Sequence, residues 1–155
     1  MLSECTLLQK GEQPLHTMPT VVTGVIGADA HIIGNRIIQK VLEKEGFKVV
    51  GLGALTPADD FIKAAIETSA AAILVSSLYG HAELDCDGFR NKCEEAGLQN
   101  ILLYIGGNLA IGKHDFEEVR KNFKAMGFNR IYPPTVDLGD FVRDLKKDLG
   151  LETGE

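Results

Sequence analysis

The chain has 155 residues, 45% of them hydrophobic and 25% charged, and a formal net charge of -6. That is enough for one ordinary domain with a sizeable core. The acidity, with no dense Lys/Arg run to offset it, argues against nucleic acid or an anionic membrane surface as partner. The longest apolar runs, Ala70 to Val75 and Ile101 to Ile105, are far shorter than a membrane span. Residues 1–12 show neither a basic start nor a long apolar stretch, so no secretory signal is expected. The three cysteines, Cys5, Cys86 and Cys93, form no Cys-x-x-Cys pair, which argues against both a disulfide framework and a zinc site. Cys86 and Cys93 are expected on one side of a helix as small apolar residues. A reducing cytoplasm is the simplest compartment.

Residues 1–20 contain Gly11, Pro14 and Pro19 without sustained periodicity and read as a flexible N-terminal extension. From there the chain alternates. Val21 to Gly27 is a short β-branched run closed by glycine, a buried strand. Ile33 to Glu45 carries apolar residues at Ile33, Ile37, Val41 and Leu42, the spacing of an amphipathic helix, and stops at Gly46. Phe47 to Gly53 is the second strand. Thr56-Pro57 has the form of an N-cap followed by proline in the first helical position, opening a helix to about Thr68. Ala71 to Ser76 is the third strand, and Leu84 to Ala96 the third helix. Asn100 to Ile105 is the fourth strand, and His114 to Met126 the fourth helix. Arg130 to Tyr132 makes a short fifth strand, and Leu138 to Leu149 the last helix.

Strands alternating with helices predict an α/β domain with a parallel sheet covered on both faces. Right-handed crossovers make it doubly wound, five-stranded and flavodoxin-like (Rossmann-like), in the order 2-1-3-4-5. The domain is expected over residues 21–150, with 151–155 as a tail. Ligands of such sheets bind beyond the carboxyl ends of the strands, beside the switch point between strands one and three. Three loops should meet there: Asp29-Ala30-His31-Ile32-Ile33-Gly34, Ser76-Ser77-Leu78-Tyr79-Gly80 and Gly106-Gly107-Asn108.

Each loop alone is commonplace. An Asp and a His two apart before a helix ordinarily make an N-cap and a solvated ring. Paired serines at a strand end bond backbone, and Gly-Gly after a strand usually marks a tight turn. Gly24 and Gly27 with Asp29 fall short of the dinucleotide fingerprint G-x-G-x-x-G. Tyr79, Glu83, Asp85 and Asp87 suit a charged loop opening a helix better than acid–base work.

The spacing distinguishes the set. D-x-H-x-x-G (Asp29 to Gly34) is followed after 41 residues by S-x-L (Ser76 to Leu78), and that after 27 residues by Gly106-Gly107. This ordered triple resembles the fingerprint of the cobalamin-binding domains of mutases and of methionine synthase. The segments Val25 to Gly34, Phe61 to Thr68, Ala72 to Gly80, Asp85 to Gly88 and Ile101 to Gly112 further resemble the sigma, or small, subunits of glutamate mutase (methylaspartate mutase).

The resemblance implies an isomerase component that carries adenosylcobalamin (coenzyme B12) and pairs with a larger barrel-type epsilon subunit, as a heterotetramer of two plus two. That partner would hold the dicarboxylate substrate, and the complex would interconvert L-glutamate and (2S,3S)-3-methylaspartate by radical rearrangement of the carbon skeleton. No catalytic residue is then expected on this chain. His31 would be the axial cobalt ligand, with Asp29 accepting the other ring N–H. Ala28, Ala30, Ile32 and Gly34 would surround it. Ser76, Ser77, Leu78, Gly106, Gly107, Asn108, Leu109, Ala110, Ile111 and Gly112 would line the cofactor and its displaced nucleotide tail. His16 lies in the extension, and His81 and His114 lack an Asp two residues before them. The five arginines fall on helices or a strand rather than on the three loops, consistent with a dicarboxylate held elsewhere. Alternative functions are a corrinoid shuttle for methyl transfer and a non-catalytic cobalamin-binding protein.

Overall fold

Short β-branched runs alternate with amphipathic helices through the chain, and the computed structural model assembles them into one five-stranded parallel sheet. It describes residues 19–26, 33–77, 86–107, 116–133 and 137–151. In chain order the elements are β1 (Thr20–Val25), α1 (Ile33–Lys44), β2 (Lys48–Gly51), α2 (Ala58–Thr68), β3 (Ala72–Ser77), α3 (Phe89–Glu95), β4 (Leu102–Gly107), α4 (Phe116–Ala125), β5 (Arg130–Tyr132) and α5 (Leu138–Asp148). The strand order is 2-1-3-4-5, as the alternation predicts, with every pairing parallel.

Because side chains alternate along a strand, each face of the sheet acquires its own core. Val22, Ile73, Val75, Leu103 and Ile105 pack with Phe61 and Ala65 of α2, Phe89 and Cys93 of α3, and Val119 and Phe123 of α4. Val21, Ala72, Leu74 and Tyr104 pack with Leu42 of α1 and with Phe141, Val142 and Leu145 of α5. Helices α1 and α5 therefore share one face, and the other three helices share the opposite one. Gly24 serves the second arrangement: a Cβ there would lie 3.0 Å from Phe61 Cζ, so the glycine gives the Phe61 ring its place on the sheet.

Several element ends differ from the sequence expectation for identifiable reasons. The third helix starts at Phe89 rather than Leu84, because Gly88 at its N-cap has φ 75°, outside the helical region. Cys86 therefore precedes the helix, although it and Cys93 are both fully buried in one cluster. Thr56 does not cap α2. Its hydroxyl bonds the Gly53 and Ala54 carbonyls, and Pro57 occupies the N-cap without a side-chain bond. Ile37, expected to face inward, is 49% exposed, and the apolar side of α1 is formed by Ile38, Val41 and Leu42. Strand β4 runs on through Gly106 and Gly107, so the glycine pair is paired sheet and not a turn.

Candidate functional site

The switch point between β1 and β3 supplies the candidate site. At the carboxyl end of the sheet, parallel register sets Val25, Ser76, Gly106 and Tyr132 side by side across β1, β3, β4 and β5. All four belong to the face covered by α1 and α5, by strand alternation from Val21, Leu74, Tyr104 and Tyr132. Val25 is a buried apolar end and Ser76 a half-buried hydroxyl. Gly106 leaves bare backbone between Ser76 and Tyr132, and a Cβ there would sit 3.4 Å from Tyr132 Cβ. Ser77 belongs to the opposite face. It is fully buried, and its hydroxyl has no hydrogen-bond partner among the described residues.

Helix α1 closes over the row through a residue that hydrophobic periodicity overlooks. Asn35, in the first turn of α1, is 1% exposed. Its Nδ2 donates to the Gly24 carbonyl at 3.3 Å and to Ser76 Oγ at 3.0 Å, and its Oδ1 accepts from the Thr23 hydroxyl at 3.5 Å. An amide directly after D-x-H-x-x-G, seven residues before the buried Leu42, was the available signal, since positions 35 and 42 share one helix face. The same polar anchor sets the rotation of α1 and turns Ile37 outward.

The far side of the row is bolted by charge. Arg130 donates from Nε and Nη2 to the two Asp148 carboxylate oxygens at 2.7 and 3.0 Å. The Tyr104 hydroxyl also donates to Asp148, and the Tyr132 hydroxyl to Asp144 Oδ2 at 2.8 Å. The Arg130 guanidinium holds the Asp148 carboxyl below the usual carboxylate value. Burial, followed by the hydrogen bonds to carboxylates, pushes both tyrosine hydroxyls above their usual value. Tyr104, Tyr132 and Phe141 form an edge-to-face triad with centroids 5.4–6.0 Å apart.

Of the sequence-expected site residues, the structure brings together Ser76 and Gly106 on one face, with Ser77 and Gly107 paired beside them. Gly34 lies in the first turn of α1. Ala28, Asp29, Ala30, His31, Ile32, Leu78, Asn108, Leu109, Ala110, Ile111 and Gly112 lie outside the described residues, as do residues 1–18 and 152–155. Flanking them are fixed points: Ile26 N–H donates to the Ser76 carbonyl at 3.1 Å, and Asn35 donates to the same residue's hydroxyl. Among the described residues no three His, Cys, Asp or Glu side chains gather into a metal cluster. The row fits a flat, largely apolar group with one or two polar atoms: a hydroxyl, a bare backbone floor at Gly106, and apolar and aromatic walls. An aromatic heterocycle meets that description.

Comparison with known proteins identifies the family. The family model described as B12 binding domain matches residues 19–123. The chain is 55% identical over 131 residues to the glutamate mutase sigma subunit of Carboxydothermus hydrogenoformans, covering 84% of this chain and 96% of that one. It is 53% identical over 133 residues to the glutamate mutase sigma subunit of Clostridium cochlearium, covering 86% and 97%. Among solved structures it superposes on a cobalamin-binding protein from Desulfitobacterium hafniense with a TM-score of 0.70 at 19% identity. That match covers 92% of this chain and 64% of the other, so it speaks for the fold alone. The chain belongs to the B12-binding domain family and, within it, to the sigma subunits of glutamate mutase.

Proposed function

We propose that this subunit carries adenosylcobalamin and presents it to a larger barrel-type epsilon subunit, which holds the dicarboxylate. Together they interconvert L-glutamate and (2S,3S)-3-methylaspartate, in an assembly of two plus two subunits. The observation that carries the reading is the 55% identity to a sigma subunit over 96% of that protein's length. When bound, the cofactor supplies a cobalt–carbon bond whose homolysis starts the radical rearrangement.

His31 would hold the cobalt in this reading: an imidazole is a suitable nitrogen donor, and Asp29 would fix its tautomer by accepting the other ring N–H. Ala28, Ala30, Ile32 and Gly34 are small or apolar residues, as a close approach of the corrin there would require. Ser76 binds the displaced tail by hydrogen bond, Leu78 packs on it, and Gly106 and Gly107 leave it room. The segment 108–112 continues the contact beyond β4, and Ser77 ends β3 on the opposite face. The arginines support the division of labour. Arg90 is bound to the Gly127 and Ile101 carbonyls and Arg130 to Asp148, while Arg120 and Arg143 lie on the helices α4 and α5 in exposed pairs with Glu117 and Asp140, so none of these four stands in the row of strand ends. The buried thiols of Cys86 and Cys93, neither of them in a disulfide, suit the reducing cytoplasm, where we place the subunit.

The test is His31→Ala with absorption and electron paramagnetic resonance spectroscopy of bound cobalamin. The wild-type chain should show nitrogen coupling from a histidine ligand, and the variant should lose it with its circular dichroism intact. An unchanged spectrum removes His31 from the role. Mixing wild-type chain, adenosylcobalamin and a barrel subunit should yield methylaspartate from glutamate, with no turnover by this chain alone. A chain that supports methyl transfer instead would be a corrinoid shuttle.

A further inference from the structure

We propose that Asn35 is a positioning residue that fixes the Ser76 hydroxyl as a hydrogen-bond donor toward the tail slot. The group selected there is one that presents a bare acceptor atom, of the kind found on the ring nitrogen of a neutral azole. This rests on the cobalamin reading above and deepens it.

The polarity of the network follows from its partners. The Gly24 carbonyl can only accept, so the atom of Asn35 facing it at 3.3 Å is the amide nitrogen. The same nitrogen faces Ser76 Oγ at 3.0 Å, so both of its hydrogens are committed, and Oδ1 is left to accept from Thr23. An amide nitrogen cannot accept, which makes Ser76 Oγ the acceptor in that pair. The serine proton then points away from Asn35, and among the described residues the Ser76 hydroxyl makes no other hydrogen bond. Burial of Asn35 at 1% exposure keeps water from competing for the arrangement. A hydroxyl otherwise rotates to suit either a donor or an acceptor; here one orientation is preset. An imidazole-type nitrogen released from a metal carries a lone pair and no proton, so it needs a donor.

The experiment compares cobalamin with cobinamide, a corrin without the nucleotide tail, on the full chain. For wild type, cobalamin should bind more tightly. Asn35→Leu, of similar volume and without hydrogen bonds, should weaken cobalamin binding about tenfold, the scale of one oriented hydrogen bond, and leave cobinamide within about twofold. Ser76→Ala should do the same, and the double variant should be no weaker than Ser76→Ala alone, because the two act through one bond. Equal losses for both corrinoids, or additive losses in the double variant, would make Asn35 merely structural and overturn the proposal. In wild-type chain, the Asn35 side-chain amide resonances should shift on adding cobalamin and stay put on adding cobinamide. That measurement decides the matter if Asn35→Leu does not fold, since resonances indifferent to the tail overturn it. A wild-type chain that binds both corrinoids equally overturns the tail slot itself. A wild-type chain that discriminates, with an Asn35→Leu variant that still does, overturns Asn35 alone.

Discussion

At Leu55 the backbone is held at φ 58°, in the left-handed region, while the side chain is 58% exposed. A non-glycine residue there carries about 1 kcal/mol of strain and persists only where its surroundings dictate the shape. They do: Leu52 N–H donates to the Thr23 carbonyl, Val25 N–H to the Gly53 carbonyl, and Thr56 N–H to the Val25 carbonyl, at 2.8–2.9 Å. Asparagine tolerates this conformation, and the side chain it replaces is more exposed than buried. Leu55→Asn should raise stability by about 0.5–1 kcal/mol, read as a higher urea midpoint with an unchanged slope; a midpoint equal to or below wild type would show that the turn relaxes without strain. Residues of this kind are what sequence reading handles worst. Ser76 and Gly106 could be read because both sit at the ends of strands, where spacing alone places them together. Asn35 could not be read that way: it is polar at an inward helical position, and apolar periodicity passes over it in favour of Ile37.

Elements were legible in type and order, and less so at their ends. Hydrophobic spacing marks where a strand or helix must exist, whereas the terminal residue depends on local bonds such as those of Thr56 or the φ of Gly88. The attachment of α5 shows a further layer that spacing does not carry. Asp144 and Asp148 lie near the negative end of the helix dipole, an unfavourable place for carboxylates, and Arg130 with the two tyrosines offsets this. The Asp148 carboxyl is depressed in the folded protein, chiefly by its hydrogen bonds from Arg130. Between the unfolded value near 3.9 and the lower folded value, the unfolded chain binds the extra proton, so stability falls as pH falls through that window. The contribution is complete above it. Asp148→Asn should therefore cost about 1 kcal/mol at pH 7, after allowance for the partial exposure of the pair, and progressively less below about pH 4. Urea melts of both proteins at pH 7 and pH 3 check this; a gap that stays constant with pH would assign the loss to packing.

At the scale of the molecule, the parallel sheet concentrates function at one edge and stability elsewhere. The buried aromatics Phe61, Phe89, Phe123 and Phe128 lie under one face, and the triad of Tyr104, Tyr132 and Phe141 under the other. Arg90 and Asn129 tie the amino-terminal edge of the sheet, through the Gly127 and Ile101 carbonyls and the Leu103 N–H. That division made the strand order predictable from alternation alone, since right-handed crossovers leave few arrangements. Cys93 reports on the core: burial pushes its thiol up to about 11. In the proposed reading the carboxyl edge gains contacts when cobalamin binds, and a ligand that binds only the folded chain stabilises all of it by mass action. With free cobalamin at one hundred times its dissociation constant the gain is about 2.7 kcal/mol, or roughly 5–10 °C in the thermal midpoint for a domain of this size. The midpoint should keep rising with the logarithm of cobalamin concentration beyond saturation of the spectrum. Thiol labelling at neutral pH should follow the same shift, because Cys86 and Cys93 are fully buried and become reactive only as the chain opens. A midpoint indifferent to cobalamin would mean that the row of Val25, Ser76, Gly106 and Tyr132 does not take the cofactor in the folded state.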